Sequence, residues 1–450
     1  MASKVIPAKT PAETALVRAF EQWRDLLPGD RDVARRREDA FHAFDSAGLP
    51  HRRVEAWHYT DLRNLMREAF PLAKAPSAAA LQTLEQALAN SATALRIVLV
   101  DGFFAQELSS ALPGGVKVQP LASALSTGRQ DILELFAQQG GADPILALNG
   151  ALMQDGAIIE VAPGAVIEEP LHLVHAFTSP SDAACFTRST LILGEGARAR
   201  LAESCEYPSS AATQANACLV VSLADGAWLA HTGAIRANTA NSMRFDTLTA
   251  RLGAGTKFES FVFIDGQGLV RRQLLLCCEG ENAEVNLSGV SLLGGQQHAD
   301  TTLFLEHAAA ASTSRVSFRT ILDDASTGVF QGRIAVAPEA QKTDAKMLSR
   351  AILLSDAAAM NNKPELEIFA DDVACGHGAT CGGLNAEQLF YLRTRGLKRP
   401  EAEALLLEAF ASELIDDIGN ETIIAEFRRR VRAWLAGRTA ASSNHSLERA

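Results

Sequence analysis

The sequence of 450 residues has little of what membrane, secreted or nucleic-acid-binding proteins require. No apolar run approaches the length of about 18 residues that a membrane helix needs, and the N-terminal MASKVIPAKTPAET lacks the apolar core of a secretory signal. A formal net charge of −11 leaves no basic domain for nucleic-acid phosphates. Seven cysteines without framework spacing are typical of reduced thiols. We therefore expect a cytoplasmic protein with neither a nucleic-acid nor a membrane partner.

The signatures of a self-sufficient enzyme are also missing. The sequence has no Walker glycine loop, no G-x-S-x-G elbow and no H-E-x-x-H pair. Sugar-binding clefts are usually rich in Trp and Tyr, and this chain has only four and three of them. Paired carboxylates at Asp323–Asp324 and Asp371–Asp372 keep one alternative open, since such pairs perform acid–base catalysis. We expect a protein that is not an enzyme, and the alternative is a β-helical carbohydrate-active enzyme of the lyase or epimerase type.

The middle of the chain repeats a short motif. Helical periodicity dominates up to about residue 145, apart from a predicted strand and turn in LRIVLVDGFF. From about Ala157 to Phe369, alternating apolar runs are separated by turns centred on a glycine or asparagine. These residues recur at spacings of 32, 30, 29 and 27 residues, at Gly164, Gly196, Gly226, Gly255 and Asn282. Gly and Asn at such positions are typical of a left-handed backbone conformation.

A repeat of two or three strands without a helix favours a coil of stacked parallel strands. An antiparallel sandwich, whose turns recur about every 8–12 residues, is the alternative fold. A coil has two open ends with unpaired backbone groups, and either helical domains or a second coil must cover them. We predict a mainly helical domain over residues 1–145, the coil over 146–375, a domain of three helices over 376–437 and a disordered tail over 438–450.

The segment ADDVACGHGATCGG, Ala370 to Gly383, concentrates soft ligands among glycines. Cys375, His377 and Cys381 have a C-x-H-x3-C spacing, and thiolate and imidazole are ligands for zinc, copper and iron–sulfur clusters. Three interpretations stay open on spacing alone. The segment is a complete metal site, a partial site that another chain completes, or a glycine-rich exit from the last strand with a half-buried thiol.

The other candidates favour structural roles. His172 and His175 are three residues apart on a predicted strand, so they face opposite sides and suit shared ligation poorly. By the same alternation, one of Cys277 and Cys278 faces the core and the other faces outward. His298 and His307 stand alone in the sequence, and we expect each to be solvated or satisfied within the core.

Two segments resemble one known family. The long run from Val329 to Leu397, with GRIAV, AQKTDA, LLSD, KPELEIFADDV, HGAT and QLFYLRTRGL in order, is similar to the C-terminal signature of the SufB/SufD family of iron–sulfur cluster assembly. RRVEAWHYTDLR, Arg52 to Arg63, resembles a segment near the start of the SufD branch. The chain departs from the family pattern at Gly376, where Ser is usual, and at Cys381, where an aliphatic residue is usual.

The resemblance implies a right-handed parallel β-helix flanked by an N-terminal and a C-terminal helical domain. It also implies a SufB-like partner at the coil ends, or a second copy of this chain, and a SufC-like ABC ATPase on the C-terminal helices. His377 would lie where a nascent Fe–S cluster forms between SufB and SufD, with Cys375 beside it as a possible thiol ligand. No stably bound cofactor is expected on the chain alone, but a transient cluster is expected in the complex. Cys381 is expected to be a buried substitute for the aliphatic residue.

Overall fold

A computed structural model describes residues 8–89, 95–137 and 143–447. The N-terminal part is mainly helical and includes a strand that leads into a turn at Asp101–Gly102, as the sequence predicts. Its helices are α1 Pro11–Trp23, α2 Arg31–Ala47, α3 Leu62–Leu65, α4 Ala78–Ala89, α5 Leu121–Ser126, α6 Gln130–Ala137 and α7 Pro144–Leu152. Its strands are β1 Leu95–Val100, β2 Phe103–Phe104 and β3 Val116–Pro120, and short 3-10 helices span Glu55–Trp57 and Gln106–Leu108.

The centre is a solenoid of eight turns, and each turn contributes one strand to each of two facing sheets. Sheet A contains, after β3, the strands β4 Ala157–Val161, β6 Ala183–Leu193, β8 Thr213–Leu223, β10 Met243–Leu252, β12 Leu269–Cys278, β14 His298–His307, β16 Thr327–Val336 and β18 Ala359–Ile368. Sheet B contains, after β2 and β1, the strands β5 Leu171–Ala176, β7 Arg198–Glu206, β9 Trp228–Ala237, β11 Lys257–Gly266, β13 Glu284–Leu293, β15 Thr313–Leu322, β17 Asp344–Leu353 and β19 Ala374–Gly382. From β4 and β5 onward the neighbours are parallel. The predicted parallel coil is therefore confirmed.

The repeated Gly and Asn residues form one stacked column of turns. All five have a positive φ, between 60° at Asn282 and 68° at Gly164 and Gly226. Each amide donates to the next turn, as in Gly226 N to Ala254 O at 2.8 Å. The column continues at Ala311 and Lys342, whose positive φ the sequence did not reveal because neither residue is typical of that conformation. The spacing of the glycines thus reports the length of one solenoid turn.

Both outer faces of the solenoid are partly covered by helices. The N-terminal helices pack on the outer face of sheet A, where Phe186 and Phe245 join their apolar cluster. The C-terminal helices pack on the outer face of sheet B, around Phe261, Phe263 and Phe427. Within the described part of the chain, no helix combines the length and the apolar character that crossing a membrane would take.

The predicted three-helix domain is present as α8 Ala386–Thr394, α9 Arg399–Ile415 and α10 Glu421–Leu447, with a 3-10 helix at Asp416–Ile418. Asn385 caps α8 by accepting from the amides of Glu387 and Gln388, as its side chain allows. Two boundaries need correction. Strand β19 extends to Gly382, beyond the expected end of the coil at residue 375, and α10 continues into the segment 438–450 that was expected to be disordered. Residues 448–450 of that segment lie outside the described residues.

Candidate functional site

Cys375 and His377 lie within the last strand of the solenoid, β19, and not on a turn after it as the sequence suggested. The glycines around them misled that expectation, because each of these small residues is accommodated in an extended strand. The register pairs Cys375 with Ala345 and His377 with Met347 on β17. Ala345 and Met347 belong to the core between the two sheets. Cys375 and His377 therefore lie on the same, inward face of the strand, about 7 Å apart along it.

Nothing among the described residues stacks on this inward face. Within the described ranges, strand β19 pairs only with β17, and β18 pairs only with β16, so the solenoid ends at these two strands. His377 is consequently exposed, while Cys375 is half-buried and packs against the edge of the core. Cys381 lies on the same face and is exposed. The expectation that Cys381 is a buried aliphatic substitute is therefore wrong, since the last turn has no layer above it.

The backbone of β19 is open on the same side. The amide of Ala374 donates at 2.9 Å to the carbonyl of Thr343, the residue that precedes β17. Alternate residues of a parallel strand bond to opposite neighbours, so the amides and carbonyls of Cys375, His377 and Ala379 face away from β17. A free edge of this kind is a template for pairing with another strand. Cys375 and His377, the candidate ligands, thus also carry unpaired backbone groups.

The edge of β18 is different. The amide of Ala359 donates at 3.0 Å to the carbonyl of Ser326, the residue that precedes β16, so the even-numbered residues of β18 face the open side. Pro364 is one of them, and proline has no amide to offer a new strand. Apolar side chains are nevertheless uncovered nearby, with Ile368 42% and Phe369 65% exposed. The open end therefore offers backbone pairing on the β19 side and apolar contact on the β18 side.

The chemistry of the two candidate ligands differs. Partial burial raises the pKa of the Cys375 thiol, so in the isolated chain this sulfur is mainly protonated near neutral pH. A metal ligand must be the thiolate, which means that a bound cation would have to displace this proton. Among the described residues, no group of three or more His, Cys, Asp and Glu side chains could hold a metal ion. The described part of the chain thus presents an exposed imidazole and a half-buried thiol on one strand face.

The second segment that resembled the family, Arg52 to Arg63, joins the N-terminal domain to sheet A. Trp57 is buried, its Nε1 donates to Asp143 Oδ2 at 2.9 Å, and the Arg271 guanidinium lies 3.6 Å from the centre of a Trp57 ring. Arg271 also forms an ion pair with Asp300, which accepts from Thr60. These groups are buried and paired, so the segment has a structural role.

The same segment reaches the open end of the solenoid. Lys363 on β18 donates to Glu55 Oε1 at 2.8 Å. His298, expected to be solvated or satisfied within the core, hydrogen-bonds through Nε2 to Thr60 Oγ1 at 2.9 Å. Glu55 and Lys363, which are 308 residues apart and belong to the two segments that carried the resemblance, are therefore in contact, and sequence spacing could not reveal this.

The remaining sequence candidates occupy structural positions. Asp323 pairs with Arg438, and Asp324 Oδ2 accepts from the turn amide of Gly295 at 2.8 Å. The carbonyl of Asp372 accepts from the Lys342 amide in the column of turns. The carboxylates of Asp323 and Asp324 are thus engaged in an ion pair and a turn, which does not favour the carbohydrate-active alternative.

The strand-face predictions for cysteine and histidine are confirmed. Cys278 is fully buried, whereas Cys277 is half-buried with its sulfur 3.8 Å from Glu306 Oε2. His172 contacts Ser204 at 2.9 Å, whereas His175 approaches Glu203, so the two histidines do not share a site.

Sequence reasoning missed a buried polar network inside the solenoid. Glu203 Oε2 lies 2.8 Å from His231 Nε2, Glu203 Oε1 lies 3.4 Å from His175 Nε2, and His231 Nδ1 lies 2.9 Å from Ser260 Oγ. Burial lowers the pKa of both imidazoles. Although burial opposes ionisation of Glu203, hydrogen bonds from the two histidines hold the pKa of its carboxyl well below the usual range. The separations of 28, 28 and 29 residues equal one solenoid turn, and this was the signal available in the sequence.

Comparison with known proteins agrees with this architecture. Residues 12–173 match the model of the SufBD protein N-terminal region, and residues 175–410 match the SufBD core domain of SUF system FeS cluster assembly. The chain belongs to the SufBD family.

The SufBD-family relatives include long matches. An iron–sulfur cluster assembly SufBD family protein of Synechocystis sp. is 30% identical over 92% of this chain and 93% of its own length. The iron–sulfur cluster assembly protein SufD of Escherichia coli is 30% identical over 93% of this chain and 97% of its own length. The SufD protein of Bacillus subtilis is 24% identical over 65% of this chain and 68% of its own. The resemblance identified from the sequence, including its similarity to SufD, is therefore confirmed.

Proposed function

We propose that this SufBD-family protein is a non-enzymatic, SufD-like component of a scaffold on which iron–sulfur clusters are assembled. The observation that carries the proposal is the position of Cys375 and His377 on one face of the last strand, whose outer edge is unpaired at the open end of the solenoid. Thiolate and imidazole are ligands of iron–sulfur clusters. The cluster is the cargo of the scaffold and leaves it after assembly.

The second step of the proposal is that a SufB-like protein joins at this end and completes the ligand set. Two features support it. Core residues of the last turn, such as Met360 and Leu366, are only partly buried because nothing stacks on them. The edge of β19 offers unpaired amides and carbonyls for strand pairing. Covering this end would bury both, and it would place residues of a second chain next to His377.

A shared site of this kind is labile by construction. Ligands that belong to two chains separate when the contact between the chains moves, so a cluster held there can be released. Because the Cys375 thiol must lose a proton to become a ligand, cluster binding at this position releases protons and weakens at low pH. Both properties suit a scaffold that passes its cargo on.

The third step is that a SufC-like ABC ATPase docks on the C-terminal helices and moves the shared contact. On α8, Phe390 is 70% and Tyr391 56% exposed, which is unusual for large side chains of a small helix. The neighbouring helix α9 is joined to sheet B, where Arg319 on β15 pairs with Glu413 at 2.5 Å. Sheet B is the sheet that ends in β19, so a displacement of the helices has a direct path to the candidate site.

The ligand assignment is tested with His377→Ala in a complex reconstituted anaerobically from this chain, a SufB-like partner and an ABC ATPase. Iron, acid-labile sulfide and visible absorption measure cluster assembly, and light scattering after size exclusion measures complex formation. We expect His377→Ala to abolish assembly and to leave the complex intact. His42→Ala, an exposed histidine on α2, is the matched control and should assemble clusters normally. Normal assembly by His377→Ala would refute the assignment.

The pairing step is tested with Ala379→Pro. Its amide faces the open edge, so proline removes a donor to the partner and spares the internal ladder to β17. We expect the affinity for the SufB-like partner to fall at least about tenfold, which corresponds to about 1.4 kcal/mol. Thermal unfolding of the chain alone shows whether its own fold is retained. Unchanged affinity of the folded variant would contradict pairing through β19.

The ATPase step is tested with Phe390→Ala combined with Tyr391→Ala. These side chains bury little within the chain, so the fold should be unaffected, whereas binding of the ABC ATPase should be lost. Leu26→Ala is the control, because Leu26 is 73% exposed and lies in the N-terminal domain. Calorimetric titration with the ATPase measures the difference. Equal binding by both variants would exclude α8 from the contact.

A further inference from the structure

The N-terminal domain contains a groove that has no part in the proposed scaffold function. It has a volume of about 740 Å³ and lies between one face of α1 and the segment 69–74. The groove lies beside the first turns of the solenoid, since Leu72 bridges to Ala184 at the start of β6. The candidate cluster site is on β19, the last strand of the other sheet. A ligand in this groove would therefore be independent of the open end.

The groove combines apolar side chains with an uncompensated positive rim. Its apolar lining includes the half-buried Trp23 and the buried Phe70. Of the residues that the structure describes, three cations line it, Lys9, Arg18 and Lys74, and no carboxylate does. Lys9 pairs with Asp45, but among the described residues neither Arg18 nor Lys74 has a carboxylate within ion-pair distance.

One end of the groove, at Lys9 and Pro11, also lies at the positive end of a helix. Helix α1 begins at Pro11 and is fixed by a capping box of Thr10 and Glu13, which together satisfy two backbone amides. The helix dipole adds positive potential to that of Lys9 at this end. The whole chain carries a net charge of −11, so a local concentration of unpaired cations is contrary to its overall charge. A surface of this kind attracts an acidic partner that the rest of the molecule would repel.

We propose that this groove binds an acidic, partly apolar peptide segment of a partner protein. Carboxylates of the segment would pair with Arg18 and Lys74, and an apolar side chain would pack on Trp23. Trp and Arg are the side chains most enriched among residues that dominate interface energies. Three cations are too few for a nucleic-acid backbone, whose charges repeat about every 1.7 Å along a duplex. A concave groove also fits a peptide better than it fits a flat lipid surface.

The chain's own N-terminal residues are a poor alternative by charge. Residues 1–7 contain Lys4 and no carboxylate, so their side chains would add to the positive rim and not neutralise it. A second copy of this chain is another alternative, since its surface is acidic. Both alternatives are distinguished by the experiment below.

The probe is a short fluorescein-labelled peptide of glutamate and leucine residues, titrated with the full chain and followed by fluorescence anisotropy. Arg18→Glu combined with Lys74→Glu should weaken binding at least about tenfold. The matched control is Arg52→Glu with Arg53→Glu, two exposed arginines outside the groove, which should bind within about twofold of the wild type. A peptide with lysine in place of glutamate should not bind.

The position of the peptide is read from tryptophan emission. An unlabelled copy of the peptide should shift the emission of the wild type, and Trp23→Phe should remove that shift. Equal weakening by the two double variants would show non-specific charge attraction and overturn the proposal. The proposal would also be overturned if poly(U) RNA or anionic vesicles bound as tightly as the peptide and lost as much affinity in Arg18→Glu/Lys74→Glu. The proposal would also be overturned if the wild-type chain dimerised and Arg18→Glu/Lys74→Glu abolished that dimerisation. It would likewise be overturned if the peptide bound only after residues 1–7 had been removed.

Discussion

His307 is expected to make the stability of the solenoid depend on pH. The imidazole is fully buried on β14, and its Nε2 lies 3.0 Å from Ser314 Oγ. Burial lowers the pKa of His307 from 6.5 to about 4. Because the folded pKa lies below the unfolded one, the unfolded chain binds the extra proton first. The contribution of the neutral His307 to the free energy of unfolding is complete above pH 6.5 and is lost progressively as the pH falls towards 4.

The size of this effect follows from the two pKa values. With a pKa of 6.5 in the unfolded chain and about 4 in the folded one, the free energy of unfolding falls by about 2 kcal/mol between pH 7.5 and pH 5. His307→Gln removes the titrating group and retains a side chain that can hydrogen-bond to Ser314. When the pH is lowered from 7.5 to 5, we expect the free energy of unfolding of His307→Gln to fall by about 2 kcal/mol less than that of the wild type.

The measurement is urea unfolding followed by far-ultraviolet circular dichroism at pH 7.5 and pH 5. His42→Gln is the control. His42 is exposed, so this variant should show the same pH dependence of stability as the wild type. If His307→Gln loses as much stability as the wild type on acidification, then burial of this imidazole does not govern the pH dependence.

Two further predictions concern the junction with sheet A and the open end. Asp300→Asn should destabilise the protein by about 3–5 kcal/mol, because it leaves the buried guanidinium of Arg271 without its charge partner. Thermal unfolding beside the exposed control Asp356→Asn measures this, and equal melting temperatures would contradict it. Cys381 should react rapidly with a maleimide in the native chain and be protected by the SufB-like partner, whereas the buried Cys278 should react only after unfolding. Peptide mass mapping detects both, and failure of the partner to protect Cys381 would argue against covering of the open end.

The two edge strands at the open end have different consequences for association. Exposed edges invite uncontrolled pairing, and proteins commonly block them with proline or charge. Here Pro364 interrupts the edge of β18, and Lys363 beside it is held by Glu55 of the N-terminal domain. Strand β19 has no proline and carries the half-buried Cys375 and the exposed His377. The combination restricts backbone pairing to the strand that carries Cys375 and His377.

The sequence by itself determined the architecture, since each turn of a solenoid repeats the same local requirement. A left-handed residue recurs once per turn, so Gly164 to Asn282 gave the repeat length directly. Helix signals such as the Asn385 cap were equally local. The motifs around His377 and Trp57 were long enough to indicate the family.

Only the tertiary structure decided which side chains meet. Glu203 and His231 come together because one full turn separates them, and Glu55 reaches Lys363 because the N-terminal segment crosses the outer face of sheet A. Cys381 looked like a core residue from its chemistry, yet it is exposed because it lies on the last strand of the solenoid and no layer stacks above it. Burial depends on what stacks above a residue, and the local sequence around that residue does not contain this information.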